Sequence, residues 1–135
     1  MLVIKNSRIV NSTGPGIVIA PASGAIGADL ENVTSAYNTY GIAVGTGGRV
    51  TIKNSFFTNN SVAGIEGDGG SFIEISSSKM AFNQTGIASN GSTTLSASQI
   101  ISNTTAITGP TQSYGNNQIA GNSLSGTVPT IVGSQ

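Results

Sequence analysis

Apolar residues fall at every second position in short runs along this chain. "RVTIKN" (49–54) and "SFIEIS" (71–76) show the alternation. That is the period of a strand with one face buried and one face out. Each run ends within a few residues in Asn, Ser or Gly. Gly and Asn accept the positive φ that a sharp corner requires. The pattern therefore predicts short strands joined by tight corners.

The runs recur as a unit. "IKNSFFTNNSVAGI" (52–65) matches "IKNSRIVNSTGPGI" (4–17) without a gap at a distance of 48 residues. Gly-Ile marks the repeat at Gly16-Ile17, Gly41-Ile42, Gly64-Ile65 and Gly86-Ile87, with degenerate copies at Ala106-Ile107 and Gly126-Thr127. Successive steps between the second residues are 25, 23, 22, 20 and 20. Three further columns keep step. An apolar column holds Ile4, Leu30, Ile52, Ile75, Leu95 and Tyr114. Two places on come Asn6, Asn32, Asn54, Ser77, Ala97 and Asn116. Eight places on come Ser12, Asn38, Asn60, Asn83, Asn103 and Asn122. A fixed period is the signature of a repeat architecture. This unit is too short for paired helices and lacks the regular Leu of leucine-rich repeats. Three strands and three corners per period describe one turn of a parallel β-solenoid.

"VTIKNSFFTNNSVAGIEGDGG" (50–70) resembles the repeat of right-handed parallel β-helix proteins, the pectate-lyase-like superfamily. The shared features are the alternating strand, Asn at the first corner, an Asn pair at the second, and Gly-Ile opening the third strand. The resemblance covers essentially the whole chain. It implies an all-β, single-stranded right-handed parallel β-helix of about six coils of 20–25 residues, with three short strands per coil. The coils fall near 1–24, 25–48, 49–70, 71–92, 93–112 and 113–135, in one domain. It says little of activity, since the repeat serves lyases, hydrolases, epimerases, adhesins and phage spikes.

Stacking predicts three inward columns: Ile4, Leu30, Ile52, Ile75 and Leu95; Ile17, Ile42, Ile65, Ile87 and Ile107; and Ile9, Phe57, Met80, Ile100 and Ile119. Phe72 and Phe82 are expected inside as well, with Tyr37, Tyr40 and Phe56 partly exposed. The Asn6–Asn32–Asn54 column is expected to act as an internal ladder, similar to that of the family, because an amide both donates and accepts. "ENVTSAYNTYG" (31–41) and the long "APASGAIG" (20–27) predict a bulged or looped second coil. Thr130 to Val132 are expected to fold back across the last coil as a cap, Pro129 being unable to donate to a ladder.

Composition narrows the function classes. Of 135 residues only ten are charged, five of each sign, and the net charge is zero. Phosphate neutralisation needs clustered Lys and Arg, so nucleic acid is not an expected partner. No apolar run is longer than that of Ile17 to Ala20, which is far too short for a spanning helix. The chain has no Cys and no His. That removes disulfides, thiolate and imidazole metal ligands, and the commonest general base. No cofactor and no metal are expected. "MLVIKNSRIV" does not read as a cleavable leader.

The charged residues fall on two faces. Lys5, Asp29, Glu31, Arg49, Lys53 and Glu74 share the outer face of the strands that open each coil, with Glu31 stacked between Lys5 and Lys53. They read as a laddered surface first and as a polar binding face second. Glu66 and Asp68 follow the third Gly-Ile, two apart and both outward. Paired carboxylates are the acid and base of glycoside hydrolysis. In enzymes of the resembling family this sheet's exterior often forms the substrate cleft, but the Arg, Asp-Asp and Gly-His-Gly features of those enzymes are missing here. Two carboxylates are also too few for Ca²⁺, which takes six to eight oxygens.

The expectation is a non-enzymatic structural or binding module. It would be part of a larger secreted or surface protein, or a truncated relative of one, meeting polysaccharide or another protein and located outside the cell or on its surface. A polysaccharide lyase or hydrolase using Glu66 and Asp68 is the rival. A homo-oligomer stacking end to end through bare coil edges is the third reading.

Overall fold

The computed structural model describes residues 1–133. The chain winds in triangular coils. The first coil is β1 (Leu2–Lys5), β2 (Arg8–Val10) and β3 (Ile17–Ile19). The second is β4 (Ile26–Glu31), β5 (Thr34–Ala36) and β6 (Tyr40–Val44), and the third is β7 (Gly48–Lys53), β8 (Phe56–Thr58) and β9 (Ala63–Gly67). The fourth is β10 (Phe72–Ser76), β11 (Lys79–Ala81) and β12 (Thr85–Ser89). The fifth is β13 (Ser92–Ser96), β14 (Gln99–Ile101) and β15 (Thr105–Thr108). The sixth is β16 (Gln112–Ser113), β17 (Gln118–Ala120) and β18 (Leu124–Gly126), and β19 (Thr130–Ile131) begins a further turn. Strands of successive coils pair in parallel. They build a seven-stranded sheet 1 from β1 to β19, a six-stranded sheet 2 from β2 to β17 and a six-stranded sheet 3 from β3 to β18.

The three inward columns form as the repeat predicts, except that Ile119, in the last coil, pairs with Ile100 but is exposed. Ile4 pairs Leu30, Leu30 pairs Ile52, Ile52 pairs Ile75 and Ile75 pairs Leu95. Ile17, Ile42, Ile65, Ile87 and Ile107 align in sheet 3. Phe57, Met80 and Ile100 align in sheet 2 and are fully buried. Each such side chain contributes about 1.5–3 kcal/mol on burial. Ser35 replaces an aliphatic between Ile9 and Phe57 in the same column. Its hydroxyl donates to the Gly41 carbonyl at 2.7 Å, so the slot stays satisfied.

The internal amide ladder lies at the second corner, which corrects the expectation for Asn6, Asn32 and Asn54. Those three are exposed, with φ of 51°, 54° and 48°. They serve as positive-φ corner residues, as do Ser77 and Ala97 in the same column. The buried ladder is Asn38, Asn60, Asn83 and Asn103, closed by Asn122. Each Oδ1 accepts the backbone N–H of the equivalent residue one coil earlier, at 2.9–3.1 Å. Each Nδ2 donates to a strand carbonyl of that earlier coil, as Asn83 does to Phe57 at 3.0 Å. A second ladder supports the first corner. Val33, Ser55 and Ser78 donate their N–H to the hydroxyls of Ser55, Ser78 and Ser98, each at 3.1 Å.

Four other expectations change. The second coil keeps register with both neighbours through all six residues of β4 facing β7, and its irregularity is confined to the Ala20–Ala25 corner. Tyr114 is exposed, and Ser113 takes the inward slot opposite Leu95. Gly115, at φ 81°, absorbs the extra corner residue there. Thr130–Ile131 pairs in parallel with Gln112–Ser113, so it continues the stack and does not fold across it. Phe72 and Phe82 point out, at 47% and 60% exposure, while Phe57 alone of the three is inside.

Candidate functional site

Sheet 1 presents its outward side chains in three rows that run along the coil axis. The first row is Gly27, Arg49, Phe72 and Ser92. The middle row is Asp29, Thr51, Glu74, Thr94 and Gln112. The third is Lys5, Glu31, Lys53, Ser76 and Ser96. The rows follow from strand alternation: Ala28, Leu30, Val50, Ile52, Ile73 and Ile75 go inside, so their neighbours must go out.

Grooves lie between these rows. A depression of about 340 Å³ is walled by Asp29, Arg49, Thr51, Phe72, Glu74 and Thr94. A second, of about 210 Å³, lies between the middle and third rows and reaches Tyr114. A third, of about 110 Å³, sits among Lys5, Asp29, Glu31 and Lys53. A fourth, of about 280 Å³, shares Ser92 with the first and is otherwise lined by residues such as Gly91, Pro110, Gln112 and Thr130. The structure thus brings all six predicted residues, Lys5, Asp29, Glu31, Arg49, Lys53 and Glu74, to one grooved face.

Two contacts fix parts of this face. The Arg49 guanidinium carbon lies 4.8 Å from the centre of the Phe72 ring, a cation–π arrangement that holds both side chains at the groove wall. Lys5 Nζ lies 2.7 Å from Glu31 Oε2. That hydrogen bond, and then the opposite charge, hold Glu31 below the usual carboxylate range and raise Lys5. Asp29 and Glu74 flank Thr51 from either side, two rungs or about 9.6 Å apart along the axis. The groove therefore offers carboxylate acceptors, a guanidinium and hydroxyl donors, and one aromatic face.

Glu66 and Asp68 lie elsewhere, on sheet 3. Glu66 is half-buried between Ala43 and Ala88 of the adjoining coils. Burial first, then the charge of Asp68 and a hydrogen bond to it, push Glu66 up to about 7. Among the described residues the two join no group of three or more carboxylates that could hold a metal.

The aromatics follow the expectation at Tyr37, Tyr40 and Phe56 and depart from it at Phe72 and Phe82. Tyr37 and Phe56 are exposed and Tyr40 is half-buried. Phe72 was legible and missed, because "SFIEIS" cannot place Phe72 inside together with Ile73 and Ile75. The groove residues Thr51 and Thr94 carry no signal beyond the same alternation.

A family model described as the right-handed β-helix region matches residues 1–132. Neither the curated proteins nor the solved structures give a significant match.

Proposed function

The chain belongs to the right-handed β-helix family, and from that premise we propose that it is a non-enzymatic binding module whose sheet 1 face holds a linear, largely uncharged polysaccharide. The observation that carries the reading is the set of grooves along the coil axis, lined by Asp29, Arg49, Thr51, Phe72 and Glu74. Sugar hydroxyls both donate and accept, so they suit a wall where carboxylates, hydroxyls and a guanidinium alternate. The C–H face of a sugar suits the exposed Phe72 ring. The face carries Lys5, Arg49 and Lys53 against Asp29, Glu31 and Glu74, a balance of charge that favours a neutral polymer over a polyanion. Such a partner places the protein outside the cell or at its surface. Asp29 and Glu74 serve here as hydrogen-bond acceptors, and Glu66 and Asp68, on another sheet, take no part.

The test is retention on insoluble cellulose, chitin and xylan, with pectin as the anionic comparison. The parent is expected to bind at least one neutral polymer. Phe72→Ala with Glu74→Gln is expected to weaken it at least about tenfold, the equivalent of about 1.4 kcal/mol. Absence of retention on all three neutral polymers, whatever pectin does, or full retention by the double variant, refutes the reading. Release of reducing or unsaturated ends that Glu66→Gln abolishes would replace it with the enzymatic one.

A further inference from the structure

The second corner carries a row of residues that stack coil on coil at positive φ: Asn11, Tyr37, Asn59, Phe82 and Ser102. Gly121 continues it in the sixth coil. The backbone confirms the stack, since Tyr37 N–H donates to Thr58 O and Asn59 N–H to Ala81 O. Asn, Ser and Gly are what such a corner calls for. Tyr37 and Phe82 are not. Their φ values are 57° and 56°, a region that bulky side chains occupy only under strain.

Core packing does not account for them. Tyr37 is 57% exposed and Phe82 60% exposed, so neither ring is held by burial. Each is unfavourable twice over, in backbone and in solvation. Their placement is also regular. They occupy alternate coils, two rungs or about 9.6 Å apart along the axis. Asn59 stands between them, exposed, its Nδ2 donating to Thr58 Oγ1 at 3.0 Å.

We propose that Tyr37, Asn59 and Phe82 form a second carbohydrate site, an aromatic ledge for a β-linked polysaccharide lying along the corner. A β-1,4-linked chain turns each sugar over relative to the last. Equivalent sugar faces therefore return every second residue, and two rings on alternate rungs meet equivalent faces. Asn59 lies where the intervening sugar presents its hydroxyls. The ledge lies at the corner between sheets 2 and 3, and its argument does not depend on the sheet 1 grooves.

Stability and binding move in opposite directions in the test. Tyr37→Asn with Phe82→Asn puts the residue favoured by this corner at both places. The melting temperature is expected at or above the parent's, while retention on cellulose or chitin falls at least fivefold. Phe82→Tyr, which keeps a ring, retains binding. The groove variant Phe72→Ala with Glu74→Gln is run beside it, so loss of either site is read separately. Undiminished retention of the Tyr37→Asn, Phe82→Asn variant on both polymers overturns the ledge, whatever the groove variant does. So does a lower melting temperature, which would show the rings to be structural.

Discussion

Replacing Asn83 with Ala removes the centre of the buried amide ladder. Asn83 is 3% exposed. Its Oδ1 accepts the Asn60 N–H at 2.9 Å and Asn60 Nδ2 at 3.0 Å. Its Nδ2 donates to Phe57 O at 3.0 Å and to Asn103 Oδ1 at 3.1 Å. The substitution leaves the buried Asn60 N–H without this acceptor, at a cost of about 1–3 kcal/mol. The other three bonds contribute about 0.5–1.5 kcal/mol each, partly offset because the amide itself no longer needs desolvating. The expected loss is about 2–5 kcal/mol, a large share of the roughly 5–15 kcal/mol that holds a domain together. Urea unfolding at constant m-value reads it as a lower midpoint. Asn54→Gly is the control. Asn54 is exposed at φ 48°, and Gly adopts that φ freely, so the change is expected to stay within about 1 kcal/mol. A loss under about 1 kcal/mol for Asn83→Ala, or an equal loss for Asn54→Gly, would refute the assignment of the ladder to the second corner.

Other substitutions probe the corners and the core. Ala97 sits at φ 45° in the first-corner column, so Ala97→Asn is expected to raise stability by about 1 kcal/mol, read as a higher urea midpoint. Thr111 Oγ1 is buried with no hydrogen-bond partner among the described residues, and Thr111→Val is expected to raise stability by about 1 kcal/mol in the same assay. Glu66 is raised from 4.5 to about 7. The unfolded chain therefore gives up this proton first, and the stability it contributes is full below about pH 4.5 and lost as pH rises to about 7. Unfolding midpoints across that window are expected to fall in the parent relative to Glu66→Gln.

The sequence revealed the coil because stacking forces equivalent side chains into register. Ile52 faces Leu30 and Ile75 in space, and a period of 20–25 residues places them there on paper. What it did not reveal is which side of a corner a polar residue occupies. Asn54 and Asn60 are both Asn in a repeating column, yet one is exposed at positive φ and the other is buried in a ladder. The difference is set by the positive-φ corner residues, Asn54 at 48° and Asn59 at 55°, which end the strand alternation and turn outward while the residue after each turns inward. Ser55, two places before Phe57, is inside, and that places Asn54 outside. The charged face was legible because alternation alone puts Lys5, Glu31 and Lys53 in one row. Its grooves were not, because groove depth depends on the sizes of side chains in rows that no local pattern brings together. Tyr114 was misplaced for a related reason: one extra corner residue at Gly115 shifts the phase of everything before Asn116.

A solenoid divides its demands unevenly, and the division locates function. Inward slots must be aliphatic or fully bonded, and corner slots must tolerate positive φ. Outward slots on the strands face neither demand. A residue that satisfies its slot, such as Ile65 inside or Asn11 at a corner, is explained by the coil alone. Phe72 stands exposed in an unconstrained outward slot, held by Arg49. Tyr37 and Phe82 violate a constrained one. Of these, the violations are the stronger indication of binding, because stability would favour Asn at both sites and Gly121 shows that the same row accepts even the smallest residue. A structural role for the two rings requires their removal to weaken the fold. A binding role requires their removal to leave the fold intact or stronger, and that contrast is set by the sign of one melting-temperature change.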